Sequence, residues 1–227
     1  MKKQSGFTLI ELAIVLVIIG LLLGGVLKGQ ELINSAKVKN MASDFRNIQV
    51  YIYGYQDKYK AIPGDDSNAA NHASGAHAAT TPAGKQGNGV IEGNWDSTTI
   101  TDESFLFWEH VRLAGLAPGT TTYGTAAEIA NYTPKNADGG QIGVQSVSGF
   151  TSIVNNEAGA ASAMNGAYVV CSTGVLGKYA KQLDTTLDDG EGDTGSVRIT
   201  DSAHTTGKSI TSANVADATS YTVCYAF

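Results

Sequence analysis

The chain is poor in charge, and the charge it has is not gathered. Asp, Glu, Lys and Arg together make up 16% of its 227 residues, well below the roughly 25% of ordinary soluble domains. No block of Lys or Arg follows the first residues and the formal net charge is −6, which argues against a dedicated nucleic-acid surface. Four histidines, His72, His77, His110 and His204, show no zinc-ligand spacing, although His72 and His77 flank one loop. There is no G-x-S-x-G elbow, no phosphate loop and no Ser-His-Asp pattern, so catalysis is not expected. No Ala-x-Ala cleavage site follows the one long apolar run, and no proline occurs before Pro63. Glycine, by contrast, is abundant at 27 residues, which favours a loop-rich surface domain over a bundle of long helices.

The apolar run is in "GFTLIELAIVLVIIGLLLGGVLKGQ". From Leu9 to Leu27 it covers about 19 residues, nearly enough to span a hydrocarbon core at 1.5 Å per residue. Lys2 and Lys3 precede it and hold the N-terminus on the cytoplasmic side, which sends the rest outward. The peptidase-like feature, Gly6, lies before the run and not after it. Cleavage between Gly6 and Phe7 would leave the helix on the mature protein, with a new amine at Phe7. Glu11 then sits one turn below that amine. In a lone chain the carboxylate is expected to be an orphan, costing at least about 2.5 kcal/mol in the bilayer. Among parallel helices it could meet the Phe7 amine of a neighbour and set the axial register, because opposite charges attract strongly in low dielectric.

These residues carry a resemblance. "GFTLIELAIVLVIIGLLL" resembles the leader and N-terminal helix of type IV pilins and type II secretion pseudopilins. The resemblance implies cleavage after Gly6 and N-methylation of Phe7 by a prepilin peptidase. It also implies a role for Glu11 in assembly on an inner-membrane platform, and a homo-oligomeric helical filament. "KYKAIPGDDSNA", "FWEHVRLAGL" and "LDDGEGDTGSVR" are similar to segments of a broad group of pilin-like proteins.

Beyond Leu27 the pattern turns amphipathic. Leu32, Met41, Phe45, Ile48, Ile52, Tyr55 and Tyr59 recur mostly at three or four residues and predict one helix stripe, stopped by Pro63-Gly64. Gly20, Gly24, Gly25 and Gly29 weaken the middle of this helix, or permit close helix packing. The spacing then predicts a long loop to about Ser97. A short helix from Thr101 as N-cap to Leu113 follows, with Phe105, Trp108 and Val111 facing a core. Strand-like stretches are "GQIGVQSV", "GFTSIV", "AYVVCST", "GSVRIT" and "YTVCYAF". Between them Leu176, Tyr179, Leu183 and Leu187 form a helical stripe closed by Gly190. The expected fold is α+β, a long N-terminal helix packed on an antiparallel sheet with short inserted helices. The expected divisions are a leader at 1–6, a membrane or filament-core helix at 7–30, its amphipathic half at 31–60 and a globular head at 61–227.

Cys171 and Cys224 both lie outside the anchor, and an even count there predicts a disulfide in an oxidising compartment. The acidic stretch Asp184, Asp188, Asp189, Glu191 and Asp193 is the best metal candidate. Calcium takes six to eight oxygens, and clustered carboxylates around glycines supply several. The spacing is not that of an EF-hand, and a solvated turn is the alternative. Asp65-Asp66 is a second, weaker acidic pair, and Asn131-Tyr132-Thr133 fits a glycosylation sequon. Three functions remain open: a structural subunit of a pilus, a pseudopilin of a periplasmic secretion filament, and a membrane-anchored binding protein acting alone.

Overall fold

The computed structural model describes residues 8–227. They divide into two compact units, one ending at residue 37 and the other covering residues 38–227. Helix α1, Leu9–Tyr59, contributes to both.

In the first unit every residue from Leu9 to Leu27 is exposed. Large apolar side chains there stand free, from Ile19 at 46% to Leu9 at 89%. A Cβ added at Gly20, Gly24, Gly25 or Gly29 would meet nothing within 4 Å. Among the described residues nothing covers this surface. An uncovered apolar helix with all backbone groups bonded internally is suited to lipid or to neighbouring helices. Among the described residues this is the one helix long and apolar enough to cross a membrane.

In the second unit the buried stripe of α1 starts at Val38 and continues through Met41, Ala42, Phe45, Ile48, Ile52 and Tyr55. Leu32, expected on this stripe, is instead 63% exposed. Its spacing continues the pattern, but in the structure it belongs to the uncovered stretch. The helix ends at Tyr59, and Lys60 follows in the left-handed region at φ 58°.

A four-stranded antiparallel sheet runs β1-β3-β6-β4, from Ile142–Ser146 (β1), Tyr168–Leu176 (β3), Val197–Thr200 (β4) and Ser220–Ala226 (β6). A separate two-stranded parallel pair joins Ile153–Asn155 (β2) to Gly207–Lys208 (β5). The C-terminal strand therefore sits inside the main sheet, between β3 and β4. The period of two sorts side chains to its faces. Val170, Val223, Val144 and Ile199 join Phe45, Ile48 and Ile52 of α1 in the main core. Val169, Cys171, Cys224 and Ala226 point into a second cluster with Trp95, Phe150 and Met164. Cys171 lies opposite Cys224 in the β3–β6 register, and the two form a disulfide on this second face.

Along the chain, α2 (Ala69–His72), α3 (Glu103–Leu113) and α4 (Ala126–Ala130) come between α1 and the first strand. Helix α3 starts at Glu103 with Asp102 as N-cap, one residue later than the Thr101 cap expected from sequence. Asp102 is drawn to the neighbouring loops and not to its own helix. Its carboxylate accepts from Thr81 Oγ1 and Ser97 Oγ, so it makes no side-chain cap bond. The expected apolar face is there, but so is burial on the other sides: Glu103, Ser104, Glu109, His110 and Arg112 are buried too. Each reaches a loop. Arg112 donates to the carbonyls of Pro118, Thr120 and Tyr132. Buried His110 accepts from Gly64 N at 2.9 Å through Nδ1 and donates from Nε2 to His77 O at 2.7 Å. Burial holds its pKa below the ordinary value, consistent with a neutral ring in this tautomer.

Gly64 permits that contact. Its φ is +92°, and a Cβ there would lie 2.4 Å from Glu103 O. The segment expected as a long unstructured loop is thus tied down at several points. Asp65, 3% exposed, accepts the backbone amides of Gly87, Asn88 and Gly89.

Candidate functional site

The residues expected to direct assembly lie at the start of α1. Gly6 and Phe7 lie outside the described residues. Thr8 and Glu11 are described, and they are paired. Thr8 N and Thr8 Oγ1 both donate to Glu11 Oε2, at 2.8 and 2.7 Å, and Glu11 N donates back to Thr8 Oγ1 at 3.3 Å. This is a capping box, with Thr8 as N-cap and Glu11 at the third helical position. The expectation of an orphan carboxylate in a lone chain is therefore corrected. One oxygen of Glu11 closes the free end of its own helix. The other, Oε1, has no hydrogen-bond partner among the described residues. The T-x-x-E spacing carried this signal, and a search for interchain partners alone passes over it.

The second site is the turn after helix α5, Gly177–Leu187. The structure gathers three of the five acids named from sequence. Asp184, Asp188 and Asp189 each offer an oxygen, and these atoms lie within 4.8 Å of one another. Glu191 turns to the backbone N of Ser212 at 2.7 Å instead. Asp193 does not join the cluster. Asp184 is 0% exposed, and among the described residues neither of its oxygens has a hydrogen-bond partner of ordinary geometry, although the backbone amide of Gly190 favours its charged form. Burial first, then the charges of Asp189, Asp188 and Glu191, pushes its pKa up to about 7.

The other titratable candidates are occupied by the fold. Asp66 accepts from Tyr55 Oη at 2.8 Å and pairs with His72 Nδ1 at 2.6 Å. Asp65 accepts three backbone amides, so both carboxylates of this pair have partners within the chain. His77 lies against Glu109, and His204 against Asp96. Asn131 of the sequon is exposed, with its amide bonded to Ala127 O and Lys135 Nζ.

Two further carboxyls are desolvated in the second unit. Glu103, fully buried, is pushed up to about 7 by burial, and the nearby charges of Asp65, Glu92 and Asp102 add to this. Its Oε2 accepts from Glu92 N, whereas Oε1 has no partner. Asp44 is pushed up to about 6 by burial alone. Both ionise near 4 when unfolded, so between about pH 4 and 7 the folded chain holds more protons than the unfolded one. Stability is therefore full below about pH 4 with respect to these groups and is lost as pH rises through 6 and 7. For Glu103 the loss is on the order of 3 kcal/mol. Urea titrations in detergent with EDTA should show the excess unfolding free energy of the unmodified chain over Glu103→Gln falling across that window. A rise with pH across the same window contradicts this reading.

Residues 1–27 match the family model described as the prokaryotic N-terminal methylation motif. No curated protein and no solved structure matches the chain. The motif covers the first 27 residues alone; the exposed apolar helix and the α+β head are consistent with the pilin-like architecture that the sequence resembles. The motif fits processing by a prepilin peptidase, and the apolar helix that follows it fits a membrane anchor.

Proposed function

We propose that this protein is a structural subunit of a type IV pilus, cleaved after Gly6, methylated at Phe7 and assembled through α1. The carrying observation is the stretch Leu9–Leu27, wholly exposed and led by Glu11, one oxygen of which is unengaged among the described residues. Before assembly the bilayer covers this surface, with the head on the periplasmic side. In a filament, neighbouring helices cover it. The contact is heterologous and does not close, so it propagates as a fibre. The capping box lowers the cost of Glu11 while the subunit waits in the membrane. In the filament, the free Oε1 takes the Phe7 amine of the adjacent copy, and this pairing fixes the stagger between subunits.

Shearing the cells and quantifying the released protein tests the reading. Abundant, polymeric protein in the sheared fraction is expected. Protein confined to the envelope, with exported enzymes retained when the gene is deleted, would assign it to a secretion pseudopilus instead.

A further inference from the structure

We propose that a cleft between α1 and α3 binds a small organic ammonium ion, with Asp44 as its counter-ion. The cleft has a volume of about 230 Å³. Sites for drug-sized ligands run to roughly 300–1,000 Å³, so the ligand here is short. One wall is α1. Asp44, Ile48 and Tyr51 follow one another there at spacings of four and three residues and share a helix face. Trp108 of α3 and two loop residues, Pro118 and Pro134, build much of the rest. The whole cleft lies within the second unit, residues 38–227. One carboxylate is thus set among two aromatic rings and apolar side chains. That combination suits a cation with a carbon body, because a ring face attracts an ammonium and the apolar walls take its stem.

Asp44 is half-buried. Among the described residues no donor and no cation offsets the desolvation of its carboxylate, and a charge withdrawn from water in this way calls for a partner. The two cations at the cleft are engaged elsewhere. Lys135 lines it, but its Nζ donates to Asn131 Oδ1 at 2.7 Å. Arg112 lies 5.9 Å from the Trp108 ring and spends its donors on the carbonyls of Pro118, Thr120 and Tyr132. The partner must therefore come from outside the head. A metal ion suits the cleft poorly. Hard cations take six or more oxygens, most of them charged or carbonyl, and Asp44 is the one carboxylate among the described residues lining the cleft. An alkylammonium needs a single carboxylate. Its three N–H donors reach Asp44 and water, while its stem covers Ile48 and the two prolines.

The chain has two tryptophans. Trp108 lines the cleft, whereas Trp95 packs in the second cluster behind the sheet, so their indole N–H resonances serve as reporter and control. The test titrates the isotope-labelled full chain in detergent micelles with n-butylammonium chloride, at about pH 8, where carboxyls are ionised and alkylamines protonated. Potassium chloride keeps the ionic strength constant. The Trp108 resonance should shift saturably, with a Kd of about 10 mM or tighter, as suits a ligand of so few atoms, and Trp95 should not move. The uncharged counterpart 1-butanol should bind about tenfold more weakly, the worth of one hydrogen bond to a charged group. Asp44→Asn should weaken butylammonium binding by the same factor. It should not lower Tm, because a desolvated charge has gone. Should Asp44→Asn fail to fold, the comparison of the two probes on the unmodified chain decides the question. No saturable Trp108 shift below about 50 mM amine, well past the expected affinity, would overturn the proposal. So would equal binding of the two probes, or undiminished binding by Asp44→Asn. A Trp108 shift that follows protein concentration without added amine would also overturn it, in favour of a lysine from a second copy.

Discussion

Glu11→Ala should leave the protein in the membrane and remove it from filaments. The substitution strips two roles at once. It opens the capping box with Thr8, which costs about 1 kcal/mol of local helix stability. It also removes the carboxylate that pairs with a neighbour's Phe7 amine. Breaking a buried pair by deleting one partner costs about 3–5 kcal/mol, because the remaining charge is stranded. At 1.4 kcal/mol per decade, that is roughly a two- to three-order loss in the equilibrium constant for each added subunit. A filament of many subunits does not survive such a loss. Thr8→Val separates the two roles. It removes the hydroxyl of the cap while the carboxylate stays, so assembly should fall by no more than about tenfold, the equivalent of a single lost cap. Quantitative blotting of sheared and membrane fractions reads both. Equal filament yield from Glu11→Ala and the unmodified chain would remove the carboxylate from assembly.

The second large effect is in the head. Cys171 and Cys224 are 53 residues apart and face each other across β3 and β6. Closing a loop of that length stabilises by about 4 kcal/mol in the chain-entropy model. That is a sizeable share of the roughly 5–15 kcal/mol that holds an ordinary domain folded. The double substitution Cys171→Ser with Cys224→Ser should therefore lower the urea midpoint sharply, and the purified chain should lose its resistance to proteolysis. Both sulfurs are buried beside Val169, Met164 and Ala226, so two hydroxyls placed there add a desolvation cost to the lost cross-link. An unchanged midpoint would mean that β6 is held by its strand ladders alone.

Legibility from sequence followed how local each signal was. The stripe Met41–Tyr55, the stop before Pro63, the strands at β1, β3, β4 and β6 and the disulfide pair were all readable from short-range patterns. Leu32 was misplaced because periodicity reports that a face is apolar, not what covers it. Helix α4 was missed although Thr125 and Glu128 make a capping box. At five residues it has too short a run for a period to show. The long loop looked structureless because its order comes from long-range side-chain contacts, such as Asp65 collecting three amides from more than twenty residues away. The acidic stretch showed five carboxylates of equal standing. Only the fold separates Asp184, buried with no hydrogen-bond partner of ordinary geometry among the described residues, from Glu191, which turns away to Ser212.

The most direct measurement is intact mass and N-terminal sequence of the protein in sheared filaments. A chain beginning at Phe7, heavier by one methyl group and present only in polymer and membrane, is the expected result. Protein that starts at Met1, unmethylated and monomeric in cells with an active prepilin peptidase, would contradict assembly through the Phe7 amine and Glu11.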